Sequence, residues 1–148
     1  MPLERRTPLK RNTRPLRRSS LKRSSKPIKR ATNDPAAFSQ STVRLVYGEQ
    51  PLCIVTGAHL NVDLHHVMGR NRGDERMSSI LNCCPLIRVI HISGFRDRPA
   101  MRYALLDKVY ERVSFSPYKL TDNDVAFMEH ANDYLQTNGL PILYQLPL

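Results

Sequence analysis

Asn61-Val62-Asp63-Leu64-His65-His66-Val67-Met68 reads as a short strand, and Asn82-Cys83-Cys84-Pro85-Leu86 lies at the end of a second extended run, 80–86. Ile87-Arg88-Val89-Ile90-His91-Ile92 then passes into a brief helix that Gly94 ends. Upstream, Pro51-Leu52-Cys53-Ile54-Val55 has the apolar, β-branched character of a strand and Thr56-Gly57-Ala58 that of a turn, so 51–55 is predicted to form a β-hairpin with 61–68. The polar, charged stretch 69–79 is expected to be a loop. The pattern is ββα. Successive strand residues face opposite ways, which puts Asp63 and His65 on one face and His66 on the other.

Helices flank this unit. Asn33-Asp34-Pro35 predicts a helix start, with Asp34 as N-cap, Pro35 at the first helical position, Phe38, Thr42, Leu45 and Val46 at helical spacing, and Gly48 as the stop. Two more helices are expected over about 100–113 and 122–137; Thr121 and Asp124 are spaced as a capping box and Gly139 lies just past the end. The expected architecture is therefore a single α+β domain over 33–148, with the ββα core at about 50–95 and the C-terminal helices at about 100–137.

The chain has 148 residues and a formal net charge of +10. Residues 1–30 hold 12 of the 23 Lys and Arg and one of the 13 acidic residues, so this segment carries the whole excess and the rest is close to neutral. A loose unit recurs there, as Pro8-Leu9-Lys10-Arg11, Pro15-Leu16-Arg17-Arg18, Leu21-Lys22-Arg23 and Pro27-Ile28-Lys29-Arg30. One apolar residue per unit buries too little surface to offset the entropy of ordering the chain. Residues 1–32 are therefore expected to be a disordered basic arm, and Arg11, Arg17, Arg18, Lys22, Arg23, Lys29 and Arg30 are its candidate contacts to a polyanion, DNA above all, because each neutralised phosphate releases counterions. A solubility or localisation tail is the plainer account. A mitochondrial transit peptide shares the basic, serine-rich composition, but Pro2, Pro8, Pro15 and Pro27 break any continuous amphipathic helix.

Cys53, Cys83 and Cys84 are too few for a disulfide framework, and adjacent cysteines rarely bridge each other, which favours a reducing, cytoplasmic setting. Cys53 has no partner at zinc-knuckle spacing, so the three read as small buried hydrophobes. No run of 18 apolar residues suggests a membrane span.

Asp63-Leu64-His65-His66-Val67, then Asn82-Cys83-Cys84-Pro85-Leu86, then His91 resembles the HNH, or ββα-metal, endonuclease family, over about residues 50–95. The chain is also similar to the phage recombination-enhancement nucleases, which pair such a core with a Lys/Arg-rich N-terminal segment; by that likeness it would be phage-encoded and act in the bacterial host cytoplasm. The resemblance implies that His65, immediately before the central histidine, ligates a divalent metal, that His66 is the general base, that Asn82 orients that base or ligates the metal, and that His91 on the short helix is a further ligand. Many members carry another histidine or asparagine one turn after the last ligand, and here that place is Phe95. Asp63 or Asn82 would then complete the set. Water- and oxygen-rich coordination favours Mg²⁺ or Mn²⁺, while two histidines also accommodate Zn²⁺ or Ni²⁺.

The chemistry asks for these residue types in its own right. In-line attack of water on a phosphodiester needs a group near pKa 7 to take a proton, which is histidine, and a cation to stabilise the developing charge. Asn82 can fix the His66 ring by accepting its second N–H. Arg70 and Arg72, beyond the strand, are candidate phosphate contacts. The expected function is hydrolysis of DNA phosphodiesters. A non-catalytic nucleic-acid binder with a structural metal is the alternative, and RNA as substrate stays open because phosphate contacts do not distinguish sugars.

Overall fold

The structure is a computed structural model that describes residues 34–71, 73–94 and 98–146, all within the unit Ala31–Leu148. The arm lies outside the described residues, as do Arg72 and Phe95. The architecture is α+β, with four α-helices and one two-stranded antiparallel sheet among the described residues.

Helix α1 is Gln40–Tyr47, shorter than the spacing from Asp34 predicts. Asp34 does accept a backbone N–H, that of Ala36 at 3.0 Å, and its carbonyl accepts from Ala37 at 2.9 Å. These bonds close a single turn that Pro35 pre-sets, and Ser39 caps the helix proper. The buried stripe is Val43, Val46 and Tyr47, while Leu45 stays exposed. Gly48 ends the helix at φ 82°, a conformation that penalises any Cβ, and its N–H returns to Arg44 at 2.8 Å.

The predicted hairpin between 51–55 and 61–68 does not form. Residues 53–58 fold into a local turn closed by Cys53 N–H to Ala58 O and Gly57 N–H to Cys53 O, both 2.8 Å, and a single backbone bond, from Ile54 to Pro85 at 2.9 Å, reaches the sheet. Strand β1, Val62–His66, instead pairs antiparallel with β2, Cys83–Ile87, in a register that sets His65 opposite Cys84 and His66 opposite Cys83. The reason is burial. Cys83, Cys84 and Leu86 are fully enclosed, an environment that the polar turn of 56–58 does not create for 51–55. In a two-stranded sheet each strand keeps one open edge, so Pro85 is tolerated within β2 although it has no N–H to give.

The connection from β1 to β2 is not a plain loop. It contains a 3₁₀ turn at Glu75–Ser78, capped by the Asp74 side chain, and a second at Ile80–Asn82, where the sequence predicts the start of the extended run 80–86; the rest of that run, 83–86, is extended as β2. Met77, Ile80 and Leu81 bury themselves in it, which explains why this polar stretch is ordered at all. Helix α2, Arg88–Ile92, follows β2 directly, so the order β1, β2, α2 stands as predicted with different strand partners.

Helices α3, Pro99–Ser114, and α4, Asp122–Thr137, agree with expectation, and the Thr121/Asp124 capping box is present in both directions. Asp124 does more than cap. Fully buried, its carboxylate also accepts from Ser79 Oγ at 2.6 Å and from Tyr118 OH at 2.7 Å, tying α4 to the 3₁₀ connection. Leu105, Leu106, Val109 and Val113 of α3 and Phe127, Met128 and Ala131 of α4 form the core with Val67, Leu81 and Leu86. Beyond α4 the chain is stapled back: Asn132 donates to Tyr144 O at 2.9 Å and accepts from Tyr144 N–H at 3.1 Å. No helix among the described residues is long and apolar enough to cross a membrane.

Candidate active site

Strand alternation distributes the histidines as predicted. On one face, His91 arrives from α2 above β1: its ring centroid lies 4.7 Å from that of His65, and its Nδ1 lies 3.5 Å from Asp63 Oδ2. The short α2 follows β2 without a linker, and the β1–β2 register sets Asp63 opposite Leu86, so the first turn of α2 carries His91 over the carboxylate. A carboxylate oxygen only accepts, so His91 Nδ1–H is the donor in this contact. Arg88 Nε also approaches Asp63, at 3.3 Å. Asp63 is thus flanked by two donors from α2.

His66 points to the opposite face. Its ring stacks on Phe38, with centroids 4.0 Å apart and planes 21° off parallel, and its Nε2–H donates to the carbonyl of Ala36 at 2.8 Å. A carbonyl cannot donate, so this bond fixes the tautomer: Nε2 holds the proton and Nδ1 is the basic nitrogen. Burial is the main influence that pushes the His66 pKa below its ordinary value, and Arg70 pushes the same way, against the Ala36 bond and Asp34. The ring is therefore neutral, and able to accept a proton, at neutral pH.

The two faces meet at the strand's end. A cleft of about 380 Å³ is lined by His65, His66, His91, Gly69, Arg70 and Arg102, so the base candidate and the ligand candidates open into the same space. Arg70 reaches it from the exit of β1 and is paired with Asp34. Gly69, at φ 89°, makes the bend that turns the chain from strand to cleft wall.

Asn82 does not orient His66, in contrast to the sequence expectation. It is fully buried, its Oδ1 accepts from Met68 N–H at 2.8 Å, and its Nδ2 donates to Met77 O at 3.0 Å. Both ends of the amide are spent on the two sides of the β1–β2 connection. The residues that hold His66 are Ala36 and Phe38, and they carry no motif that a sequence could flag, since one acts through its backbone and the other through a ring face. Arg102, from α3, carries no sequence signal either; it lies about 40 residues beyond β1, with no spacing rule to connect them.

Cys53, Cys83 and Cys84 are free and buried in the core. Burial pushes the Cys83 thiol up and that of Cys84 up to about 12, which keeps both neutral and makes them small hydrophobes. Among the described residues, no group of three His, Cys, Asp or Glu side chains stands arranged to hold a metal ion. The donor chemistry at the cleft still fits one: two imidazoles side by side, with a carboxylate that holds the second by its Nδ1–H, is the arrangement in which a histidine is oriented for ligation through Nε2. No family model, no curated protein and no solved structure matches the chain.

Proposed function

We propose that this protein is a metal-dependent endonuclease of the HNH type that hydrolyses DNA phosphodiester bonds. The observation that carries the reading is the joint opening of His65, His91 and His66 into one cleft from opposite faces of one strand. A structural site has no use for a second imidazole whose tautomer is fixed with the basic nitrogen bare. A hydrolytic site does.

In this reading His65 and His91 are the ligands of a divalent cation, Mg²⁺ or Mn²⁺ in first place. Asp63 acts on His91 by accepting its Nδ1–H, in keeping with the 3.5 Å approach, and so positions it. When bound, the cation would supply charge stabilisation on the phosphate and the leaving oxygen. His66 Nδ1 takes the proton of the attacking water, while the Ala36 carbonyl holds the other side of the ring and stabilises the imidazolium that results. The basic arm, through residues such as Arg17, Arg18 and Lys22, holds the duplex by its backbone.

The test is incubation of supercoiled plasmid with the full chain across Mg²⁺, Mn²⁺, Zn²⁺ and Ni²⁺, alongside His66→Ala. The wild type is expected to nick or linearise the plasmid with at least one metal. His66→Ala should lower the rate by about 10²- to 10⁴-fold while binding DNA and metal as before, because a positioned base acts in the transition state. Cleavage by His66→Ala at the wild-type rate would refute the assignment.

A further inference from the structure

The outward face of α3 is charged in a pattern that the rest of the fold does not use. Leu105, Leu106, Val109 and Val113 turn into the core, which leaves Asp107, Lys108, Glu111 and Arg112 exposed on the other side. Residues four apart on a helix are neighbours, so Asp107 stands beside Glu111 and Lys108 beside Arg112, and each couple brings like charges together. Arg44, Arg70, Arg76 and Arg88 each hold a carboxylate, whereas none of these four side chains forms an ion pair among the described residues. Arg112 donates its Nε to the carbonyl of Val46 at 3.2 Å, and its two terminal amino groups point away from any carboxylate of the domain. The same face ends in Phe115, 84% exposed, and begins about three helical turns earlier at the small Ala104. A hollow of about 350 Å³ runs beside it, lined by Ile54, Lys108, Glu111, Arg112 and Phe115.

We propose that two copies of this chain associate through this face, their α3 helices antiparallel about a two-fold axis level with the midpoint of Val109 and Tyr110. A two-fold contact pairs residue i with j and j with i. About that axis Lys108 meets Glu111 of the second copy, Asp107 meets Arg112, and Phe115 lies over Ala104. The like charges that crowd one another within a single helix thus become opposite charges across the interface, and the largest exposed side chain of the stripe falls on the smallest. A parallel arrangement would set each charge against its own kind. The mixed signs also select against other occupants, since nucleic acid would meet two carboxylates here and the basic residues 1–30 would meet two cations. Association of this kind is independent of the nuclease reading.

The test is sedimentation velocity of the full chain, freed of nucleic acid, at physiological ionic strength over a series of protein concentrations. The wild type is expected to pass from monomer to dimer with a Kd on the order of micromolar, as suits a small and largely polar contact. Lys108→Glu sets glutamate against glutamate twice in each dimer and should weaken association by about tenfold or more. Phe115→Ser, which removes the apolar knob, should weaken it as well. Both side chains lie in solvent, so neither change threatens the fold, and far-UV circular dichroism verifies that. The decisive variant is the double exchange Lys108→Glu with Glu111→Lys, which rebuilds the same reciprocal pair with its signs reversed and should return the affinity to within a few-fold of the wild type. A wild type that stays monomeric throughout overturns the proposal. Dimers of Lys108→Glu and Phe115→Ser as tight as the wild type overturn it too, as does a double exchange that associates no better than Lys108→Glu alone.

Discussion

Asn82→Ala is expected to unfold the protein more readily, and its effect can be worked from the bonds it breaks. The side chain is fully buried and satisfies Met68 N–H at 2.8 Å and Met77 O at 3.0 Å. Alanine leaves both backbone groups without that partner. Each buried group stranded in this way costs about 1–3 kcal/mol, and the Met68 end, only partly buried, belongs at the low side of that range, so the sum is roughly 2–4 kcal/mol. Against a total of about 5–15 kcal/mol for a domain of this kind, that is a large fraction. Urea unfolding at pH 7, followed by far-UV circular dichroism, measures it directly. Asn82→Asp should be damaging as well, because it keeps the acceptor for Met68, loses the donor to Met77, and brings a charge into the core. A destabilisation below about 1 kcal/mol for Asn82→Ala, the range of an ordinary substitution, would sink the argument. If that small effect came with loss of plasmid cleavage, Asn82 would have to act on the chemistry and not on the β1–β2 connection.

Three further outcomes follow from the cleft and the arm. His65→Ala and His91→Ala should each lose metal affinity in calorimetric titration, and Asp63→Asn should lose about 10- to 100-fold as an orienting partner of His91; undiminished affinity in all three would move the metal elsewhere. Because burial lowers the His66 pKa, its folded value lies below the unfolded 6.5, the folded protein binds fewer protons, and stability should decline as pH falls from about 6.5 toward the folded value. The acid limb of the rate profile should accordingly lie below that of an ordinary histidine, and Asp34→Asn, which removes a raising influence, should shift it lower still; an upward shift would contradict the electrostatic assignment. Deleting residues 1–30 should flatten the salt dependence of DNA binding by roughly 0.9 in log–log slope for each duplex phosphate that the arm neutralises, and equal slopes would mean the arm touches no phosphate.

The parts of the fold legible in the sequence are those set by local rules. The capping box at Thr121 and Asp124, Gly139 past α4 and Gly48 past α1 each act within one helical turn, and a single chain segment reveals them. The partner of β1 is not local. Two candidate strands flank it, and the choice of 83–87 over 51–55 depends on which becomes enclosed on both sides, a property of the assembled core. The start of α1 is ambiguous in sequence because Asp34 and Pro35 suit a turn as well as a helix, and only the chain beyond them decides between the two. At the site, the alternation of β1 correctly divides Asp63 and His65 from His66. What escapes a sequence reading are the groups that act through backbone or from afar: the Ala36 carbonyl, the Phe38 ring and Arg102. Asn82 stands out by its spacing yet bonds to other partners than the one expected, since spacing fixes a position along the chain and leaves open which way the amide turns.

The turn at residues 34–37 marks where the protein can be divided. Ala36 is completely buried and lends its carbonyl to His66, while Asp34 holds Arg70, so these residues belong to the cleft although they immediately follow the basic arm. A replacement of the chain that ends ahead of Asp34 keeps both of these contacts. A replacement that runs five residues further would remove the acceptor that fixes the His66 tautomer, so the stretch of chain that serves the cleft starts ahead of the first helix, at Asp34.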